Sequence, residues 1–374
     1  LFRKGIASGR GPVSFFRSVP GILFDTDRRT GVIFGKEKPI VRGSPVQIFR
    51  RIKRIFDSRP VACHLYVTEQ CNLHCGYCTE FDNTIPHPDL ATVKRWVDKL
   101  ADLGCMRIGI QGGEPLKHPD IVEIVRYIKS KKMGCSMSSN AFLLTPELVA
   151  GLEDAGLDSI HVSIDSMDPT ESTKKCIRLV EPKLMMLRAS KIPLHLTSVL
   201  FKESLPQLPE VFAWAREKGL SIKAHLIHAG TAGEYTVEQG DRKALGDFID
   251  WQIREKKNGR NIRTMFNVLR YQKNLTEKNN YRWKCLAGYK FLFVSARGEF
   301  WLCSMQRRPG TDILALTKKD LKANNCKKPC QKGCGVYCVV SESLVNNKPL
   351  SFGLRELGSI LGGLFGRPFR RKSA

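Results

Sequence analysis

Three cysteines, Cys71, Cys75 and Cys78, stand three residues and then two residues apart in the run Cys71-Asn72-Leu73-His74-Cys75-Gly76-Tyr77-Cys78. They follow His64-Leu65-Tyr66-Val67-Thr68, an apolar, β-branched stretch that predicts a strand. The thiols therefore belong to a loop leaving a buried strand. Cysteine runs at short spacing hold iron–sulfur clusters, and a cubane [4Fe–4S] cluster normally takes four thiolates. No fourth cysteine follows nearby. One iron would then keep an open position, which a structural site rarely does and a catalytic one needs. The alternatives are a zinc site short of a ligand, or three reduced core cysteines. Zinc loops more often show Cys-x2-Cys pairs and four ligands.

A second constellation, Gln111-Gly112-Gly113-Glu114-Pro115, follows the next predicted strand directly. Its two glycines let the backbone approach a ligand closely, and Glu114 places an acceptor beside them. Ser138-Ser139-Asn140 ends a third strand, and Val162-Ser163-Ile164-Asp165 ends a fourth. Period two puts Ser163 and Asp165 on one face, toward the strand ends' open side if Val162 and Ile164 face helices. The plainer reading of these residues is ordinary strand-end caps and turns. His225 and His228 lie three apart on a sixth strand and so face opposite sides. His228, nearer the strand's end, is the one placed to touch a ligand; a structural histidine is the alternative.

Cys-x3-Cys-x2-Cys with an aromatic just before the last cysteine resembles the radical S-adenosylmethionine (SAM) superfamily. The resemblance implies that the amino and carboxylate groups of SAM chelate the open iron, and that Tyr77 lies against the adenine. Gly112, Gly113 and Glu114 resemble the family's GGEP motif, whose backbone and Glu receive the SAM amino group. Ser138, Asn140, Ser163 and Asp165 match positions that hold the SAM carboxylate and ribose. Two departures blur those contacts: Asn140-Ala141 stands where Asn-Gly is commoner, and Ser166-Met167-Asp168-Pro169 where a Gly-containing turn is frequent. The implied activity is reductive cleavage of SAM to methionine and a 5′-deoxyadenosyl radical, which abstracts hydrogen from a substrate. An electron donor such as flavodoxin or ferredoxin is implied with it. No catalytic residue is assigned beyond the cluster.

These loops need a scaffold. Strands are expected at 63–68, 106–110, 134–138, 159–164, 193–200 and 221–227, with helices near 89–103, 119–132, 145–155, 171–190 and 207–218. Six βα units in series predict a parallel sheet curled into a partial (β/α)6 TIM-like barrel, an α/β fold, over residues 61–235. Its working face is the C-terminal end of the strands, where the cysteine loop sits. Residues 1–60 read as a basic lead-in with a hairpin and an amphipathic helix, 236–280 as a linking helix and polar segment, and 346–374 as a basic amphipathic tail.

Residues 281–345 are expected to form a small Cys-rich domain. Cys285 and Cys303 bracket a β pattern with a Gly298 turn, and Cys326, Cys330, Cys334 and Cys338 recur every fourth residue. Pro329, Gly333 and Gly335 argue against a regular helix there. The first half resembles the SPASM or Twitch extension of radical SAM enzymes, which carries auxiliary clusters. The second half departs from the full pattern, since the spacing is x3, x3, x3 and no cysteine follows Cys338. Six ligands fall short of two complete cubanes. Either four serve one cluster or two clusters are incompletely held, and at least one auxiliary [4Fe–4S] cluster including Cys285 and Cys303 is expected. Structural zinc on Cys326, Cys330, Cys334 and Cys338 is the alternative. Cys63, Cys105, Cys135 and Cys176 stand singly and are expected in the core.

The chain has 374 residues, 42% of them hydrophobic, enough to bury a full core. It begins at Leu1, so a natural start upstream is expected. No apolar run reaches the ~18–20 residues of a membrane span, and no secretory signal is read. Thirteen cysteines in metal-like clusters fit a reducing, cytoplasmic setting better than a disulfide framework. A net charge of +25 predicts attraction to polyanions. Relatives with the auxiliary extension often modify peptides, which makes an acidic peptide or protein the expected substrate. The basic amphipathic ends make a lipid, with peripheral contact to an anionic membrane surface, the rival. A non-enzymatic, metal-stapled nucleic-acid-binding protein would explain the charge, but no recognised nucleic-acid fold supports it and the Gly113-Glu114 turn is left unexplained.

Overall fold

Burial alternates along Gly134–Ser139, Ser159–Ser163 and Leu194–Leu200, so these strands sort their side chains onto two faces. In the computed structural model, residues 57–227, 242–259, 261–277, 281–307, 309–331 and 333–347 are described. The expected N-terminal hairpin and amphipathic helix, His228 and the basic tail after Asn347 lie outside them.

Strands β1 (Ala62–Tyr66), β2 (Arg107–Gln111), β3 (Gly134–Ser139), β4 (Ser159–Ser163), β5 (Leu194–Leu200) and β6 (Ser221–Leu226) pair in parallel, each with the next. Helices α1 (Leu90–Asp102), α2 (Ile121–Ser130), α3 (Pro146–Asp154), α4 (Ile177–Ala189) and α5 (Leu208–Glu217) alternate with them. This is the expected (β/α)6 series. Local chemistry starts the helices: Asp89 accepts from Thr92 N and caps α1, and Thr145 accepts from Leu148 N and caps α3 ahead of Pro146.

One strand face builds the main core. Cys63, Leu65, Ile108, Ile110, Cys135, Met137, Ile160, Val162 and Ile164 are all at most 1% exposed, packed with Trp96, Leu100, Ile124 and Ile128 of the helices. Cys105 and Cys176 are buried too, so all four single cysteines are interior. The opposite face carries His64, Tyr66, Gln111, Ser138, His161, Ser163, Thr197, Lys223 and His225 and lines the lumen. Val162 and Ile164 thus pack under the helices, leaving Ser163 on the inner face.

Three features differ from expectation. The Cys-rich stretch extends the same sheet: β7 (Phe291–Val294) pairs in parallel with β1, and β8 (Glu299–Trp301) and β9 (Thr311–Asp312) follow antiparallel. The order is β6-β5-β4-β3-β2-β1-β7-β8-β9. Phe291 and Phe293 of β7 pack with Ala62 and Tyr66 of β1 and with Cys285, Cys303 and Val339, which joins the two cores. Second, the polar segment after α6 (Arg242–Lys257) contains α7 (Phe266–Glu277). Its buried set mixes Phe266, Val268, Leu269 and Tyr271 with Asn267 and Gln272, so no clean apolar stripe marks it. Third, α4 begins at Ile177 rather than near 171, because residues 166–176 fold back over the cysteine loop.

After a short α8 (Lys318–Ala323), α9 (Tyr337–Asn347) returns to the barrel. The Glu342 carboxylate pairs with Arg107 at the start of β2, and the Ser343 hydroxyl accepts from Leu286 N at 2.9 Å. Gly298 makes the expected turn between β7 and β8 with φ of 77°, and a Cβ there would lie 2.7 Å from the Trp96 ring.

Candidate active site

The cysteine loop and the Gly112-Gly113 turn are built as one piece. Gly113 N donates to Thr68 O at 3.1 Å and Glu114 N to Gln70 O at 2.8 Å. Only glycine permits this approach. A Cβ on Gly113 would sit 2.5 Å from Gln70 O, and one on Gly112 2.5 Å from Thr68 O. Glu114 is buried, and its carboxylate accepts from Leu116 N at 3.1 Å, Ser139 Oγ at 2.8 Å and Asn140 N at 2.6 Å. Burial raises its pKa and those donors oppose the rise. In the described structure Glu114 ties the turn to the end of β3.

Around the thiols, Cys71 N donates to Asn83 Oδ1 at 2.8 Å, and Leu73 N to Cys71 Sγ at 3.4 Å. Asn140 Nδ2 donates to Asn72 Oδ1 at 2.8 Å and lies 3.9 Å from Cys71 Sγ. Ala141, standing where Gly is commoner, is buried with φ of 68°, the left-handed region glycine favours. Ser138 Oγ accepts from Gln111 Nε2 at 2.9 Å. Ser163, half-buried, is the ladder partner of Thr197.

Asp165, fully buried past the end of β4, accepts from Tyr77 Oη and from Val199 N at 2.9 Å. Tyr77 packs against Phe201 with ring centres 4.8 Å apart. The folded-back loop adds two residues the sequence did not single out. Lys175 Nζ donates to Tyr77 Oη at 3.2 Å, and Thr173 Oγ1 lies 3.3 Å from Cys75 Sγ. Gly76 N donating to Ser172 O at 2.9 Å holds the two loops together. Burial alone would lower the Lys175 pKa, but Tyr77, Asp165, Cys75 and Cys78 outweigh it and hold the amine above its ordinary range. Burial pushes the Cys71 and Cys78 thiols up, and Lys175 acts against that at both. A lone lysine in a polar loop carries no signal in sequence, and these two had none.

The second cysteine group forms around α9 and β7. Cys285 and Cys303 are buried, Cys334 and Cys338 half-buried, and Cys330 exposed. Electrostatic coupling links Cys285, Cys303, Cys330 and Cys334, and links Cys338 to Cys303 and Cys334. Burial raises Cys334 to about 12. Cys326 is exposed and enters none of these couplings. Arg307 bridges the two groups: it donates to Glu80 Oε1 at 2.7 Å beside the first loop and lies 4.9 Å over Trp301 near the second.

All thirteen cysteines are free thiols. Among the described residues no three His, Cys, Asp or Glu side chains converge as around a single metal ion. In a cubane each thiolate grips a different iron, so cluster ligands must surround a common space rather than meet at one point. The donor set fits such a group: soft thiols, a backbone N–H and a hydroxyl directed at their sulfurs, and a lysine as counter-charge. His225 lies beside Tyr337 with ring centres 5.4 Å apart, on the lumen face.

Residues 65–215 match the Radical SAM superfamily. A PqqA peptide cyclase of Gluconobacter oxydans is 30% identical over 172 residues, 43% of this chain and 48% of the cyclase. An AdoMet-dependent heme synthase of Methanosarcina barkeri is 26% identical over 263 residues, 63% of this chain and 74% of the synthase. A probable GTP 3′,8-cyclase of Methanococcus maripaludis is 32% identical over 175 residues, 42% and 56% of the two chains. The chain thus spans about half the length of the two cyclases. Among solved structures, Streptococcus suis SuiB bound to its precursor peptide SuiA superposes with a TM-score of 0.57 at 15% identity, covering 79% of this chain and 74% of SuiB. At that identity the likeness shows the fold. These relatives are enzymes, which speaks against a non-enzymatic, metal-stapled protein.

Proposed function

We infer that this chain, a member of the radical SAM superfamily, cleaves SAM reductively and abstracts hydrogen from a peptide or protein substrate. One observation carries the first part. Gly113 and Glu114 donate their backbone N–H groups to Thr68 O and Gln70 O, so the turn that would bind SAM is joined to the segment leading into the cysteine loop.

Cys71, Cys75 and Cys78 would hold a [4Fe–4S] cluster, and Asn140, Ser163, Asp165 and Tyr77 would contact the bound SAM. When bound, that cluster supplies the electron that splits SAM into methionine and a 5′-deoxyadenosyl radical. The protein's own share is orientation and exclusion of water. Gly112 and Gly113 let the turn close against Thr68 O and Gln70 O, Lys175 offsets negative charge at the thiols, and Phe201 walls the Tyr77 side. A small reduced protein such as ferredoxin or flavodoxin would deliver the electron. Cys285, Cys303, Cys330, Cys334 and Cys338 would hold at least one auxiliary cluster.

A peptide substrate is favoured by the likeness to the PqqA peptide cyclases and to SuiB bound to its precursor peptide SuiA. The lipid reading rests on basic ends outside the described residues and has no support within them; no helix among the described residues is long and apolar enough to cross a membrane.

The deciding experiment is anaerobic. The protein is reconstituted with iron and sulfide, reduced, and given SAM beside a Cys71→Ala/Cys75→Ala/Cys78→Ala variant. 5′-Deoxyadenosine from the wild type alone is expected. Equal product from both, or no SAM binding by the loaded wild type, would overturn the reading.

A further inference from the structure

The inner face of β5 and β6 carries a lysine, Lys223, that forms no ion pair with the described residues. Lys223 of β6 is the ladder partner of Thr197, itself the partner of Ser163, and His225 two residues on shares its face. The Lys223 ammonium lies 5.0 Å over the Tyr337 ring. Among the described residues it makes no hydrogen bond or ion pair. Arg107, in the same lumen, is neutralised by Glu342, whereas Arg263 Nη1 donates to His195 Nε2 at 2.8 Å. Three buried polar atoms on this face also lack hydrogen-bond partners among the described residues: Thr197 Oγ1, His225 Nδ1 and His161 Nδ1.

Such a set is costly unless something completes it. A half-buried cation is stabilised by an anion, and a buried hydroxyl oxygen or imidazole nitrogen wants a hydrogen-bond partner. Burial first, and Lys223 with it, opposes protonation of His64, His161, His195 and His225, so none of these rings competes for the anion as a second cation. A carboxylate, with two oxygens and about four lone-pair sites, would satisfy the ammonium and neighbouring donors at once. The position is also right for a substrate. His225 feels Lys175, which touches Tyr77 of the cysteine loop, and Lys223 is coupled to Cys338 of the second cysteine group. Lys223 and His225 both lie against the ring of Tyr337, the chain neighbour of Cys338, which sets the subsite beside the second cysteine group.

We propose that Lys223, Thr197 and His225 form a lumen subsite for the side-chain carboxylate of an Asp or Glu residue in the substrate. This rests on the peptide reading above. The competing role for Lys223 is as counter-charge to the Cys338 thiolate alone.

The test pans the cluster-loaded, SAM-bound protein anaerobically against displayed short random peptides, using wild type, Lys223→Gln and Lys223→Glu. A general acidic bias from the basic chain would be common to all three. The expected result is an Asp or Glu fixed at one peptide position by the wild type, lost with Lys223→Gln and replaced by Lys or Arg with Lys223→Glu. Iron and sulfide content should be the same in all three. Peptides recovered with an identical bias in all three, or with no fixed acid in the wild type, would overturn the subsite and leave the peptide reading standing. Recovery of no peptide above background would overturn both. Loss of iron from Lys223→Gln would assign the lysine to the thiolates and overturn the subsite.

Discussion

Tyr77 donates its phenolic hydrogen to the Asp165 carboxylate, fastening the cysteine loop to the end of β4. Lys175 reaches the same oxygen of Tyr77 at 3.2 Å, so one loop, one strand end and the folded-back segment meet at a single hydroxyl. Tyr77→Phe leaves a buried carboxylate short of a donor. It is expected to lower unfolding free energy by about 1–3 kcal/mol and to weaken SAM binding. Denaturant unfolding of the apo chain checks the first effect. A larger loss from Lys175→Met than from Tyr77→Phe would show that the lysine, not the phenol, is the principal partner of Asp165.

Two small residues should respond in opposite directions. A methyl group on Gly113 would meet Gln70 O at 2.5 Å, so Gly113→Ala must part the turn from the cysteine loop, at a cost of about 1–3 kcal/mol. Ala141 sits at φ of 68°, where an L-residue is strained by about 1–2 kcal/mol. Ala141→Gly relieves that strain and loses little packing, so thermal unfolding of the two variants should bracket the wild type. Both melting below it would contradict the assignment of strain to Ala141.

The inner face predicts an acid-sensitive fold. Burial first, and Lys223 with it, lowers His64 and His225 to about 3, and burial with Arg263 and Lys223 lowers His195 likewise, from an ordinary 6.5. A base whose folded pKa is depressed contributes stability that is present above its unfolded pKa. That contribution is lost as pH falls from about 6.5 toward about 3, because the unfolded chain takes up protons that the folded one refuses. Between pH 7 and pH 5 this amounts to about 1–2 kcal/mol per histidine. His161 is lowered by burial in the same way and has an unpartnered Nδ1. His161→Phe should therefore narrow the gap in melting temperature between pH 7 and pH 5; an unchanged gap would mean that ring is already protonated in the fold.

The six C-terminal cysteines should not be equivalent. Cys334 is coupled to Cys285, Cys303 and Cys330, whereas Cys326 is exposed and outside those couplings. After anaerobic reconstitution Cys334→Ser is expected to lose iron and sulfide, and Cys326→Ser to keep the wild-type content. Equal losses would bring Cys326 into the ligand set.

What the sequence determined by itself was whatever local spacing dictates. Cys71, Cys75 and Cys78 share one loop in any fold, the alternation of βα units requires a parallel sheet, and Gly112-Gly113 announces a close backbone approach wherever it lands. What only the tertiary structure decided depends on contacts between distant parts of the chain. Thr173 and Lys175 reach Cys75 and Tyr77 from 98 positions away. β7 joins β1 although a separate domain was expected, because its phenylalanines match the inner face of β1, and pairing across that distance leaves no local periodicity. Cys330 and Cys334 act electrostatically on, or are acted on by, Cys285 and Cys303 from a distant stretch of the chain. Lys223 looks like any surface lysine until the strand register turns it inward, where burial, a quantity set by everything packed around it, makes its charge consequential.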